Sequence, residues 1–167
     1  MISVGDTLQL NFPVKGWMDG AAREVAFNEL LTRPTIVSVY MKNNTGSCDR
    51  QNDQLVQYAD RLNQAGYNVI ALSRDTCGSH GRYAAKKNIP YALVSDPDDQ
   101  FAGAADILVT KSMYGRSFVG PSRSAFVLDR KGKVLAVLEK VDSAGHGEQL
   151  LQLLKTLKST QNPGLTA

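Results

Sequence analysis

Residues Val69-Ile70-Ala71-Leu72, entered through Asn68, form an unbroken apolar run. A strand apolar on both faces has no side to offer water, so it belongs inside a sheet covered on both sides. Parallel sheets meet that need, because each crossover between parallel strands lays a helix on one face. The surrounding pattern agrees. Strands are predicted at 35–40, 68–72, 91–95, 124–128 and 134–141. Between them, helices are predicted at 47–65, 78–87, 98–105 and 147–158. In the first, Leu55, Ala59, Leu62 and Ala65 recur at helical spacing and Gly66 marks the end. The last carries an apolar face of Leu150, Leu151, Leu153, Leu154 and Leu157. Asp129-Arg130-Lys131-Gly132-Lys133 reads as a hairpin turn, with glycine supplying positive φ. Alternating strands and helices, then a hairpin and a terminal helix, imply an α/β sandwich. Its first half should be parallel and its second half antiparallel.

A chain of 167 residues suffices for one domain with a sizeable core, placed at 1–158, with 159–167 as a frayed tail. Its net charge of +3 is mild and its Lys and Arg are scattered, which argues against nucleic acid as a partner. No apolar run approaches the ~20 residues of a membrane helix. The N-terminus has neither a charged nor an apolar region of signal-peptide type. Two cysteines, Cys48 and Cys77, are too few for a disulfide scaffold, so a reducing cytoplasm is the expected setting. His80 and His146 stand too far from other ligands in sequence to suggest a metal, and both read as structural or surface residues.

Chemistry concentrates on Cys48. The run Thr35-Ile36-Val37-Ser38-Val39-Tyr40 stops at a polar turn, and a helical pattern begins around the cysteine. A thiol in a first helical turn feels the partial positive charge of unpaired backbone N–H groups, which favours the reactive thiolate. Thr45, three residues earlier, either bonds the thiolate or a substrate oxygen, or is a turn or cap residue, with Ser47 as the competing cap. Arg123 opens a core strand; it either stands beside Cys48 across the sheet end or is solvated. Gln51, one turn beyond Cys48, either orients Arg123 or is exposed. Cys77 either resolves an oxidised Cys48 as a disulfide or is a small, inert thiol. Neither cysteine has another two or three positions away, so a CxxC redox centre is absent.

The segment Met41-Lys42-Asn43-Asn44-Thr45-Gly46-Ser47-Cys48 resembles the peroxidatic motif of peroxiredoxins, Pro-x-x-x-Thr-x-x-Cys. The wider chain resembles the bacterioferritin comigratory protein, or peroxiredoxin Q, subfamily. Ala71-Leu72-Ser73-Arg74-Asp75, Val94-Ser95-Asp96, Arg123-Ser124-Ala125-Phe126-Val127-Leu128-Asp129 and Gly145-His146 follow in the matching order. The likeness covers roughly 3–157. It implies a thioredoxin-like fold, a central mixed sheet flanked by helices, with an N-terminal extension and an insertion near 97–120.

By resemblance, Cys48 is the peroxidatic cysteine, Thr45 binds the peroxide oxygens, Arg123 stabilises thiolate and polarises peroxide, and Gln51 supports Arg123. The implied enzyme is an antioxidant thiol peroxidase acting on hydrogen peroxide and organic hydroperoxides through a sulfenic acid. It needs no cofactor or metal. Thioredoxin or a related thiol is the implied reductant, and the implied state is a monomer or weak dimer. Three departures stand out. Met41 replaces the motif proline, Gly46-Ser47 replaces the usual Pro-Gly, and Asp53 stands where many members carry the resolving cysteine. Cys77 is the remaining candidate resolver, near the start of the helix where other members place theirs, though earlier in it. The alternatives are a one-cysteine cycle completed by an external thiol, a thioredoxin-type disulfide oxidoreductase, and a non-enzymatic binding module.

Overall fold

The computed structural model describes residues 2–161. Seven strands form one mixed sheet: β1 (Pro13–Met18), β2 (Ala21–Ala26), β3 (Thr35–Val39), β4 (Asn68–Ser73), β5 (Ala92–Ser95), β8 (Ser124–Leu128) and β9 (Val134–Leu138). A separate two-stranded hairpin comprises β6 (Leu108–Met113) and β7 (Arg116–Pro121). The helices are α1 (Gly46–Gln64), α2 (Cys77–Lys87), α3 (Gln100–Ala104) and α4 (His146–Gln161). In the large sheet the strand order is β2-β1-β5-β4-β3-β8-β9.

The apolar run sits where its composition requires. β4 lies between β3 and β5, parallel to both. Its alternate side chains feed two cores. Val69 and Ala71 pack with Ile36, Leu93 and Val127 under Leu55 and Leu62 of α1, Tyr83 of α2 and Leu150 of α4. Ile70 and Leu72 pack on the opposite face with Val37, Val39, Val94 and Phe126 under the N-terminal segment and α3. There Phe27 stacks on Phe101 at 5.1 Å between centroids, and Phe101 meets Phe126 edge-on at 5.8 Å.

β8 and β9 are antiparallel, joined through Gly132 at φ +83°, as the turn sequence predicts. The opposite edge is also antiparallel, which the sequence reading did not anticipate: β1 pairs with β5 and β2. Two hairpins escaped prediction. Both turn through a two-residue loop with positive φ at each position, Asp19-Gly20 and Tyr114-Gly115. That geometry matches the twist of the flanking strands. Asp-Gly is itself a strong hairpin signal; Tyr-Gly is a weak one because a bulky residue there is unusual.

The predicted insertion near 97–120 is α3 and the β6–β7 hairpin. That hairpin exposes Met113, Tyr114 and Val119. α4 continues past the predicted helix end at 158 to Gln161, and residues 162–167 of the predicted tail lie outside the described residues. No helix among the described residues is long and apolar enough to cross a membrane.

Candidate active site

β3 runs directly into the loop before α1, so Cys48, the third residue of α1, comes to the carboxyl end of a central strand. β8 is antiparallel to β3, with Ser124 opposite Val39. Arg123, one residue before β8, therefore emerges at the same sheet end. The topology brings together residues 75 positions apart. Arg123 Nη1 lies 3.4 Å from Cys48 Sγ. The same nitrogen donates to Gln51 Oε1 at 2.7 Å.

Cys48 is buried. Burial acts to raise its thiol pKa, but bonds from the Thr45 hydroxyl, the Lys42 and Met41 backbone and the Arg123 guanidinium outweigh it, so the thiol lies below its ordinary value. The Met41 amide donates to the sulfur at 3.4 Å. These amides belong to the loop before α1, whereas the sequence reading looked to the helix start. Thr45 occupies the N-cap position without making a side-chain cap. Its exposed hydroxyl donates to the Lys42 carbonyl at 2.9 Å, and its proximity to the sulfur helps to lower the thiol. Ser47 does not cap either; it accepts from Arg50.

Gln51 is fully buried. Its Nε2 donates to Ser38 Oγ at 2.8 Å and to the Val39 carbonyl at 3.3 Å, which leaves Oε1 facing Arg123. Ser38 in turn meets His146 Nε2 at 3.0 Å. A chain of buried His146, Ser38 and Gln51 and half-buried Arg123 thus ends on the Cys48 sulfur. Burial pushes the His146 pKa down to about 4, so the ring is neutral. Ser38 was missed as a site residue. Its signal is a lone hydroxyl inside the apolar run 35–40, since a buried hydroxyl needs a partner.

A second polar cluster fixes the loop from the other side. The Tyr40 hydroxyl donates to Asn43 Oδ1 at 2.5 Å, and the Asn43 amide donates to Asp75 Oδ2 at 3.0 Å. Asn43 Nδ2 approaches Ser79 Oγ at 3.1 Å and His80 Nδ1 at 3.2 Å. His80 Nε2 faces the Val94 carbonyl at 3.1 Å; a carbonyl only accepts, so Nε2 carries the proton. The Tyr83 hydroxyl donates to Asp49 at 2.7 Å, tying α2 to the first turn of α1. The sequence reading of both histidines as structural or surface residues resolves to buried ones.

Cys77 is placed differently. It opens α2, and its thiol donates to the Gly16 carbonyl of β1 at 3.2 Å. Gly81, on the same face of α2, sits so close to Trp17 of β1 that a Cβ there would lie 2.8 Å from the indole. The face bearing Cys77 is thus turned toward β1, while Tyr83 faces α1. In the strand order, β1 and β3 are three spacings apart, ~14 Å.

A buried sulfur with a lowered thiol pKa beside a guanidinium, at the end of a central strand, is an arrangement for nucleophilic attack. The model of the AhpC/TSA family matches residues 4–137. The chain belongs to that family. Peroxiredoxin Bcp of Xanthomonas campestris is 32% identical over 120 residues, which cover 72% of this chain and 75% of that one. Peroxiredoxin Bcp of Escherichia coli is 28% identical over 137 residues, covering 82% and 88%. Among solved structures, peroxiredoxin Q of X. campestris superposes with TM-score 0.80 at 27% identity, covering 89% of this chain and 94% of that one. The bacterioferritin comigratory protein of the same organism, whose alkyl peroxide reduction activity was the subject of its structures, superposes with TM-score 0.80 at 26% identity, covering 90% and 98%. This peroxiredoxin therefore falls in the Bcp/peroxiredoxin Q group, is a thiol peroxidase, and has the thioredoxin-like fold.

Proposed function

We propose that the protein reduces hydrogen peroxide and organic hydroperoxides at Cys48. The thiolate attacks one peroxide oxygen; an S–O bond forms, the O–O bond breaks, and the electron pair leaves with the other oxygen. Cys48 becomes a sulfenic acid, and the departing oxygen takes a proton to become water or an alcohol. Arg123 holds the thiolate and faces the charge developing on the oxygens. Thr45 orients the peroxide. Gln51 keeps Arg123 aimed. The observation that carries this reading is the 3.4 Å approach of Arg123 Nη1 to the sulfur.

Cys77 resolves the sulfenic acid: its sulfur attacks the Cys48 sulfur, the S–S bond forms as the S–O bond breaks, and the departing hydroxide takes the Cys77 thiol proton to leave as water. A dithiol such as thioredoxin then reduces the disulfide by exchange. Disulfide geometry needs Cα atoms within about 7 Å. Because the strands beneath the two cysteines are three spacings apart, the first turns of α1 and α2 must open. Gly46 and Gly78 lie at those turns and lower the cost of unwinding. The anchoring of Cys77 to Gly16 favours the second reading, a one-cysteine cycle in which an external thiol attacks the sulfenic acid directly. A reducing cytoplasm suits either cycle, and we read the protein as a monomer or weak dimer there.

Peroxide consumption by the wild-type protein, abolished in Cys48→Ser, tests the activity. Intact mass after one equivalent of peroxide separates the two cycles. Loss of two hydrogens marks the disulfide, and gain of one oxygen marks the one-cysteine cycle. Retention of peroxide consumption in Cys48→Ser would overturn the assignment.

A further inference from the structure

The β6–β7 hairpin stands apart from the main sheet, yet one of its side chains reaches back into the site. Lys111, on β6, is half-buried. Its Nζ donates to the Pro121 carbonyl at 2.6 Å and to Met41 Sδ at 2.8 Å. Met41 is the residue whose amide donates to the Cys48 sulfur. Among the described residues both hydrogen-bond acceptors of Lys111 are neutral.

The charges around this ammonium define its surroundings. Arg74, from the loop before α2, pairs with Asp99. Arg123, from the start of β8, donates to the neutral Gln51 and to the sulfur. Cys48, from α1, has a thiol held below its ordinary value. Burial first, and then the two arginines, lower the Lys111 pKa, and Cys48 acts in the opposite direction. A cation brought into partial burial beside other cations is stable only near an anion.

We propose that Lys111 is a positioning residue of the peroxidatic centre: carried in on the hairpin and anchored on Pro121 and Met41, it joins Arg123 as a second cation holding Cys48 ionised. The attraction is mutual. An ammonium favoured by the thiolate favours the thiolate equally. In this arrangement the hairpin acts on the chemistry as well as bordering it.

Thiol titration tests this without requiring peroxidase turnover, so its failure is separable from failure of the proposed cycle. The Cys48 thiol is titrated by absorbance at 240 nm and by the pH profile of iodoacetamide alkylation, in a Cys77→Ser background. The variants are Lys111→Arg, Lys111→Gln and Lys111→Glu. The midpoint should stay in place for Arg, rise by roughly half a unit to one unit for Gln, and rise further for Glu. Peroxide reduction by Lys111→Gln should fall about three- to tenfold below the midpoint and converge on wild type above it. Unchanged midpoints, a rise that Lys111→Arg shares, or a rate deficit equal at every pH would each overturn the proposal, because a purely structural role predicts those results.

Discussion

Arg123 Nη1 touches Cys48 Sγ at 3.4 Å and Gln51 Oε1 at 2.7 Å, so one nitrogen bridges the buried thiol and a buried side-chain amide. Gln51 is fixed by Ser38, and Ser38 by His146. The guanidinium is therefore held from behind by fully buried groups. Such preorganisation lets a donor act on a transition state without first reorganising.

Removing that cation should be costly to chemistry and mild for the fold. Arg123→Ala should slow peroxide reduction by on the order of 10²- to 10³-fold. It should also move the Cys48 titration upward, read by the pH dependence of alkylation. Arg123→Lys should recover part of the titration but little of the rate, since an ammonium lacks the planar fork.

Met41→Pro restores the motif residue of the wider family but removes an N–H that this chain points at the sulfur. The Cys48 pKa should rise more in Met41→Pro than in Met41→Leu, which keeps the amide and loses only the sulfur that anchors Lys111. Alkylation profiles of the two variants check this. Equal profiles would mean that the amide contributes nothing.

The neutral, buried His146 makes stability depend on pH. Its folded pKa of about 4 lies below the ordinary histidine value near 6.5. Between those values the unfolded chain binds the extra proton, so stability present above the unfolded value is lost as pH falls through this window. The loss is on the order of 3 kcal/mol. Buried His80, also shifted downward, adds in the same direction. Urea midpoints measured across the window should fall with pH in wild type and fall less steeply in His146→Gln.

Cys77→Ser distinguishes the resolving schemes. If Cys77 resolves, the variant should stop at the sulfenic acid after one turnover with a thioredoxin-type reductant and should form no intramolecular disulfide by mass. A variant that turns over normally with that reductant assigns the second half-reaction to an external thiol.

Most of the sheet could be read from local pattern. Val69-Ile70-Ala71-Leu72 is apolar on both faces, and only a covered central strand satisfies that. The spacing of Leu55, Ala59 and Leu62 marks the buried side of α1, and Gly132 marks the β8–β9 turn. The β6–β7 hairpin was illegible because its strands are largely exposed and lack clean alternation, and because its turn uses Tyr114.

The catalytic group divides the same way. That a cysteine begins a helix after a central strand, with a threonine three residues earlier, is local information, and the chain order alone carries it. That Arg123, Gln51, Ser38 and His146 meet behind this sulfur, that Lys111 reaches Met41 from the hairpin, and that Cys77 turns instead toward β1 was decided only by folding. Strand pairing and crossover direction set which distant residues share one end of the sheet, and the helical face on which a side chain leaves determines what it can touch.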